Sequence, residues 1–230
     1  MNWVIDNLGL IWSLSLEHLR QSVIPIVLGF VISVPLGWLA WRYRPVRAVL
    51  LTGTGLLYTI PSLALLVLLP PLLGVGIVSE LNLIITLTIY AVALMVRAVA
   101  DGLASVDEDV RLASTAMGYG AFQRFWGVEF PLAGPVILAG LRVTAASTIA
   151  LATVGILVGV SNLGYLFTNG LQRRIIPEVG AGIVAVAIIA LLVDLVLVFA
   201  GRVLLPWARA TRSRSRSRTV QVGLEAEAVA

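Results

Sequence analysis

Long apolar runs alternate along the chain with short polar breaks and with glycine- and proline-marked interruptions. A helix needs about 20 mostly apolar residues to cross the hydrocarbon core of a bilayer. Five runs reach that length, at roughly 20–41, 47–69, 81–100, 134–160 and 182–205. They predict an all-α polytopic membrane protein with about five transmembrane helices. Residues 1–19 read as an external N-terminal segment, 20–205 as the membrane domain and 206–230 as a polar tail. Pro61 interrupts the second run, and Pro70 and Pro71 close it. Pro removes a backbone donor and disturbs the turn before it. Irregular backbone at membrane depth persists only where protein or a wet cavity covers it. "TIPSL" (59–63) is therefore a packing kink or part of a solute path. Tyr58, Thr59, Pro61 and Ser62 are the residues such a path would use, with the Tyr58 ring offering its face to a cation.

In the fourth run, Thr144, Thr148, Ala152, Gly155 and Gly159 recur at helical spacing and form one small, partly polar face. Gly155 and Gly159 make a G-x-x-x-G pair, which permits close helix approach. This face is a packing seam or a pathway lining. Asp194 lies inside the fifth run, and an ionisable residue there is a functional candidate by default. Its expected partner is Arg97 or Arg142; a structural ion pair or snorkelling fits better than a proton relay, which needs further acids. His18, ahead of the first run, is expected at the surface or interface.

The break between runs three and four is unusual. "ASTAMGYGAFQRFWGVEFP" (113–131) is too polar for lipid, yet rich in Gly and aromatic residues. Val110, Ala113, Ala116 and Met117 form one apolar stripe at helical spacing, and Phe122, Phe125 and Trp126 form a second. Gly118 and Gly120 between them permit a sharp bend, and Pro131 is expected to stop the pattern. The segment, about 101–131, thus predicts an elbow of two short amphipathic helices. An interfacial helix on lipid is the bland alternative. Asp107, Glu108 and Asp109 precede the elbow; they suit a helix N-terminus and repel anionic lipid. A docking surface for another protein fits better.

Charge then orients the chain. Its hydrophobic content is 59% and its charged content 12%, about half the charged fraction of a soluble domain. All basic residues are Arg. Arg42, Arg44 and Arg47 follow the first run; Arg97, Arg111, Arg124 and Arg142 lie within or beside the elbow; the rest of one group follows the fifth run. Only Arg20, Arg173 and Arg174 fall on the other side. By the positive-inside rule the N-terminus is outside and the C-terminus and elbow are cytoplasmic. The N-terminus carries no basic region before its apolar stretch, so a cleaved signal peptide is not expected. The Arg/Ser tail has too little apolar content to fold alone. It is expected to fix topology and touch anionic lipid, with no nucleic-acid role. With no Cys and one His, neither a disulfide framework nor a Cys or His metal centre is expected. Absence of Lys excludes a Gly-Lys-Ser/Thr phosphate loop, so any ATP that drives the protein, with its magnesium, is bound by another chain.

The elbow resembles the cytoplasmic loop of ABC importer permeases. That pattern reads Glu-Ala-Ala, three residues, Gly, nine residues, Ile, one residue, Leu-Pro. Here Leu112, Ala113 and Ser114 stand at the first three places, Gly118 at the Gly, Val128 at the Ile, and Phe130 and Pro131 at the Leu-Pro. The spacing matches in full; Leu112 and Ser114 depart in identity. "TIPSLALLVLLPPLLGVG" (59–76), "GPVILAGLRVT" (134–144) and "ATVGILVGVSNLGYLFTNGL" (152–171) resemble importers of glycine betaine, carnitine and choline. The resemblance spans roughly residues 10–205. It implies a MetI-like permease fold in the cell membrane of a prokaryote. It also implies a second permease chain, a dimer of ATPase subunits coupled through Leu112, Ala113, Ser114, Met117, Gly118, Val128, Phe130 and Pro131, and an extracytoplasmic substrate-binding protein. An ABC permease for another solute, such as an amino acid, is the nearest alternative. A self-contained channel or secondary carrier is more distant, since no duplicated half is visible. A membrane enzyme is last, for want of a catalytic cluster.

Overall fold

The polar breaks in the sequence become helix ends. A computed structural model describes residues 2–207; the tail from residue 208 onward lies outside the described residues. The chain forms α1 (Asn2–Asp6), α2 (Leu8–Arg42), α3 (Arg44–Thr59), α4 (Ser62–Leu73), α5 (Glu80–Ala104), α6 (Glu108–Ala116), α7 (Ala121–Arg124), α8 (Phe130–Ala152), α9 (Gly164–Arg173) and α10 (Ile176–Leu204). A π turn, Phe125–Glu129, joins α7 to α8, and a 3-10 turn, Thr153–Val158, follows α8. Four helical stretches are long and apolar enough to cross a membrane, or five if the bent pair α3–α4 is one broken span rather than a re-entrant loop.

Small residues decide which helices touch. On α2, a Cβ added to Gly29 would lie 2.5 Å from the Ala91 Cβ of α5, and one added to Gly37 2.5 Å from the Val99 Cβ. Both contacts are below van der Waals distance, so α2 and α5 approach as closely as they do because Gly stands there. α5 is central: 56% of its apolar window is buried, against 6% for α10. Met95, Val99, Leu103, Phe125, Ala133 and Ile137 knit α5, the π turn and α8. Leu14, Ala145, Ile149, Leu163, Leu166 and Ile189 knit α2, α8, α9 and α10. α10 leaves Leu191, Leu195, Val196 and Phe199 exposed, as a lipid-facing helix does.

Several sequence expectations are revised. Residues 8–19 are not a separate segment but the first turns of α2, whose 35 residues extend about 52 Å at 1.5 Å per residue. His18 is fully buried rather than superficial. Nε2 donates to the Ile149 carbonyl at 3.1 Å, because the turn after α8 tightens and the Thr153 N–H bonds Ala150 O instead. The second span is not straight: α3 and α4 are bent by 107° at Ile60–Pro61. The fourth helix ends at Ala152, so Gly155 and Gly159 are not a helical G-x-x-x-G pair. Gly155 lies in the 3-10 turn against Leu83, and Gly159 ends that turn at φ +87. Pro131 does not stop the elbow. The π turn just before it removes the steric conflict with the carbonyl four residues back, and the helix runs on into α8. Arg142 lies well inside α8, not beside the elbow.

Three helix breaks are covered by side-chain donors, as backbone within a membrane domain requires. Tyr90 of α5 donates its hydroxyl to Ile60 O at the α3–α4 bend. Pro70 cannot donate to Leu66 O, and Asn82 Nδ2 does so at 2.9 Å, also reaching Ile77 O at 3.2 Å. Asn162, fully buried, donates to Ala152 O at 2.8 Å and to Gln21 Oε1 at 3.1 Å, while its own oxygen accepts from Gly164 N.

Candidate functional site

The elbow sits at the end of the bundle where α2 stops and α3 begins. Asp107 caps α6: its carboxylate accepts from Asp109 N at 2.9 Å, the role expected of an acidic N-cap. The other end of α6 closes in a Schellman turn. Tyr119 N donates to Ser114 O and Gly118 N to Thr115 O, at 3.2 and 3.0 Å. Gly118 takes φ +88, the left-handed value that this turn requires and Gly supplies without strain. Gly120 then caps α7, with Gln123 Oε1 accepting from its N–H at 3.4 Å.

Two arginines make the elbow one body. Arg124 bonds Thr115 of α6 through Nη1 at 2.8 Å and Glu129 of the π turn through Nε at 2.8 Å. The Glu129 side chain is 2% exposed, and a buried charge is tolerated when paired in this way. Arg111 donates to Val106 O and lies 5.2 Å over the Trp41 ring at the end of α2. Of the predicted residues, Ser114 is buried, with its hydroxyl on Arg111 O at 2.8 Å. Val128, Phe130 and Pro131 are half-buried, and Ala113 is exposed. Leu112 and Met117 are 62% and 70% exposed, and Phe122 77%. Leu112 edges a cleft of about 360 Å³ that it shares with Trp41, Glu108 and Arg124. The first stripe thus faces outward. The second splits: Phe125 is buried edge-on against Trp38 at 6.2 Å, and Phe122 and Trp126 stay exposed. Sequence reading placed Arg111 and Arg124 at the elbow only as charges, and missed their partners Trp41 and Glu129. The Arg124–Glu129 spacing of five is not a pairing interval of a regular α-helix; only the π turn brings the two together.

The other predicted residues separate into distinct places. Tyr58 is exposed and packs edge-on against Tyr90 at 5.9 Å, with Thr59 and Pro61 also exposed and Ser62 half-buried at the bend. Thr144 and Thr148 are instead buried in the chain's own core. Thr148 Oγ1 bonds Thr144 O at 2.8 Å, and Thr144 Oγ1 faces Met95 Sδ at 3.8 Å. They make the seam of the two earlier readings, not an open surface. Asp194 takes Arg142, not Arg97, in a two-pronged pair of 2.6 and 2.8 Å.

The family profile described as "binding-protein-dependent transport system inner membrane component" matches residues 26–210. The chain belongs to this family. It is 30% identical over 199 residues to the osmoprotectant import permease protein OsmW of Salmonella typhimurium, covering 84% of this chain and 91% of that one. It is 33% identical over 190 residues to the glycine betaine/carnitine/choline transport system permease protein OpuCB of Bacillus subtilis, covering 83% and 86%. Its fold matches a chain of the MetNI methionine ABC transporter, solved in inward-facing conformations, with a TM-score of 0.68 at 25% identity over 86% and 95% of the two chains. The family member described here is a MetI-like permease subunit of an ABC importer in a prokaryotic inner membrane. It is a transport subunit.

Proposed function

We propose that this permease carries quaternary ammonium osmoprotectants, such as glycine betaine, carnitine or choline, into the cell. The observation that carries the cargo class is the identity, over most of the chain, to permeases named for those solutes. A second permease, identical or paralogous, completes the pathway. An extracytoplasmic binding protein delivers the solute, and an ATPase pair binds ATP and magnesium. The Arg-rich end with the elbow is cytoplasmic, and Leu112, Ala113, Met117 and Phe122 form the surface on which the ATPase seats. Gly118, Ser114, Val128, Phe130 and Pro131 shape that surface. ATP-driven closure moves the elbow, and its continuity with α8 carries the motion into the membrane. Such coupling works only through unequal affinity of the ATPase for the two permease states. Tyr58, Thr59, Pro61 and Ser62, open at the α3–α4 bend beside Tyr90, line the solute path. Thr144 and Thr148 support it from the core, and Asp194–Arg142 holds α10 to α8.

The test is uptake into proteoliposomes holding the whole importer. ATP-dependent uptake of labelled glycine betaine, blocked by excess choline or carnitine, is expected. Uptake of an amino acid instead, unaffected by betaine, would transfer this reading to the alternative that the fold match to a methionine transporter supports. Uptake by the permease alone without ATP would replace it with a self-contained carrier.

A further inference from the structure

At the elbow end of the bundle, outside the elbow itself, lies a cleft of about 340 Å³ between the first turns of α3 and the side of α5. It is lined by Arg44, Arg47, Ala48, Leu51, Thr52 and Arg97. With about 30 Å³ per water, it holds roughly ten water-sized groups, the size of a phosphodiester with a small alcohol. Its donors are unequal. Arg47 is already engaged, donating to Asp101 Oδ1 at 3.0 Å. Arg44 and Arg97 have no hydrogen-bond or ion-pair partner among the described residues. Two uncompensated guanidiniums therefore line one concavity, with Thr52 among its other lining residues. α3 adds to the positive field through its N-terminus: Tyr43 makes no side-chain cap, Pro45 has no N–H and Arg47 N donates to Tyr43 O at 2.9 Å, so the open first-turn amides are those of Arg44 and Val46. Asp101 is the acid of this corner, and it is turned to Arg47. Such a set fits a tetrahedral oxyanion, which guanidiniums bind in two-pronged fashion.

The surroundings choose the source of that anion. Immediately along α3 the surface is apolar and open: Val49 is 73% and Leu56 63% exposed. A basic notch at the end of membrane spans, with an apolar helix face running away from it, matches a molecule with an anionic head and hydrocarbon tails. We propose that this cleft binds the phosphate of an anionic phospholipid, with Arg44 and Arg97 on the phosphate oxygens and the acyl chains along α3. The proposal requires only that the chain spans a bilayer; it is independent of the cargo and of the ATPase.

The test is native mass spectrometry of the full-length permease released from mixed phosphatidylglycerol and phosphatidylcholine nanodiscs. The expected result is preferential retention of phosphatidylglycerol. In the double variant Arg44→Gln/Arg97→Gln that preference falls by about thirtyfold, from roughly fivefold per guanidinium. Arg44→Lys/Arg97→Lys retains most of it. Thermal unfolding in pure phosphatidylcholine discs checks that the Gln variant folds, and Arg97→Gln alone replaces it if it does not. Equal retention of the two lipids by the parent chain, or an unchanged preference in the Gln variant, overturns the proposal. Displacement of the retained lipid by millimolar inorganic phosphate also overturns it, by assigning the cleft to a soluble anion.

Discussion

Asn82 shows how much one side chain decides. Pro70 takes a donor out of α4, and Asn82 of α5 returns it to Leu66 O while also holding Ile77 O. Leu has nearly the same shape but no donor. Asn82→Leu is therefore expected to lower unfolding stability by about 1–3 kcal/mol, the cost of stranding a buried carbonyl. Thr59→Val, which removes an exposed bond to Leu56 O, should change it by about 0.5 kcal/mol or less. Denaturant or thermal unfolding in detergent compares the two; equal losses would show that the Asn82 bonds contribute nothing specific. The sequence marks Pro70 as a break but does not point to Asn82, twelve residues on and in another helix. The same holds for Tyr90 at the Ile60 bend and His18 at Ile149. In each case the acceptor is local and the donor is set by tertiary packing.

At the scale of elements, the parts of the elbow are fastened in series, as the proposed lever requires. The Schellman turn at Gly118 ends α6, Arg124 ties α6 to the π turn, and the π turn runs into α8 past Pro131. Gly118→Pro removes the N–H that reaches Thr115 O and forbids φ +88. Even Gly118→Ala costs about 1–3 kcal/mol of backbone strain. Both are expected to weaken retention of the ATPase on purification. Met117→Asp leaves the turn intact and changes only an exposed contact, so it separates shape from surface. A loss of about thirtyfold in retained ATPase is expected if Met117 is a hot spot worth about 2 kcal/mol. Unchanged co-purification in Met117→Asp together with Gly118→Pro would remove the elbow from the coupling role. Spacing revealed the bend and the outward stripe here. It could not reveal continuity with α8, because a Pro after an aromatic run reads as a stop unless the π turn ahead of it is known.

For the whole molecule, charged and polar contacts divide between the two ends of the bundle. The contacts gather Arg47 and Asp101, Arg111 and Trp41, and Gly134 and Leu205 at one end, and Arg20 with Glu80 and Gln21 with Asn162 at the other. The absence of native Cys makes sidedness simple to read. Ser105→Cys, exposed between α5 and α6, is expected to react with a membrane-impermeant thiol reagent only after cells are permeabilised. Gln172→Cys, exposed at the end of α9, should react in intact cells. The reverse pattern would invert the topology, and with it the assignment of the elbow to the ATPase side.

The sequence by itself determined the helical membrane class, the approximate place of the apolar helices, the clustering of Arg and the spacing of the elbow. These are properties of hydrophobic length, charge and local turn chemistry, and they need no partner. Tertiary structure alone decided that α2 absorbs residues 8–19, that Gly155 and Gly159 belong to a turn, that Thr144 and Thr148 face inward, and that Asp194 takes Arg142. Each of these depends on which helix faces which, and that follows from how Gly29 and Gly37 let α2 close on α5 and from which neighbour can supply a hydrogen bond where a helix breaks.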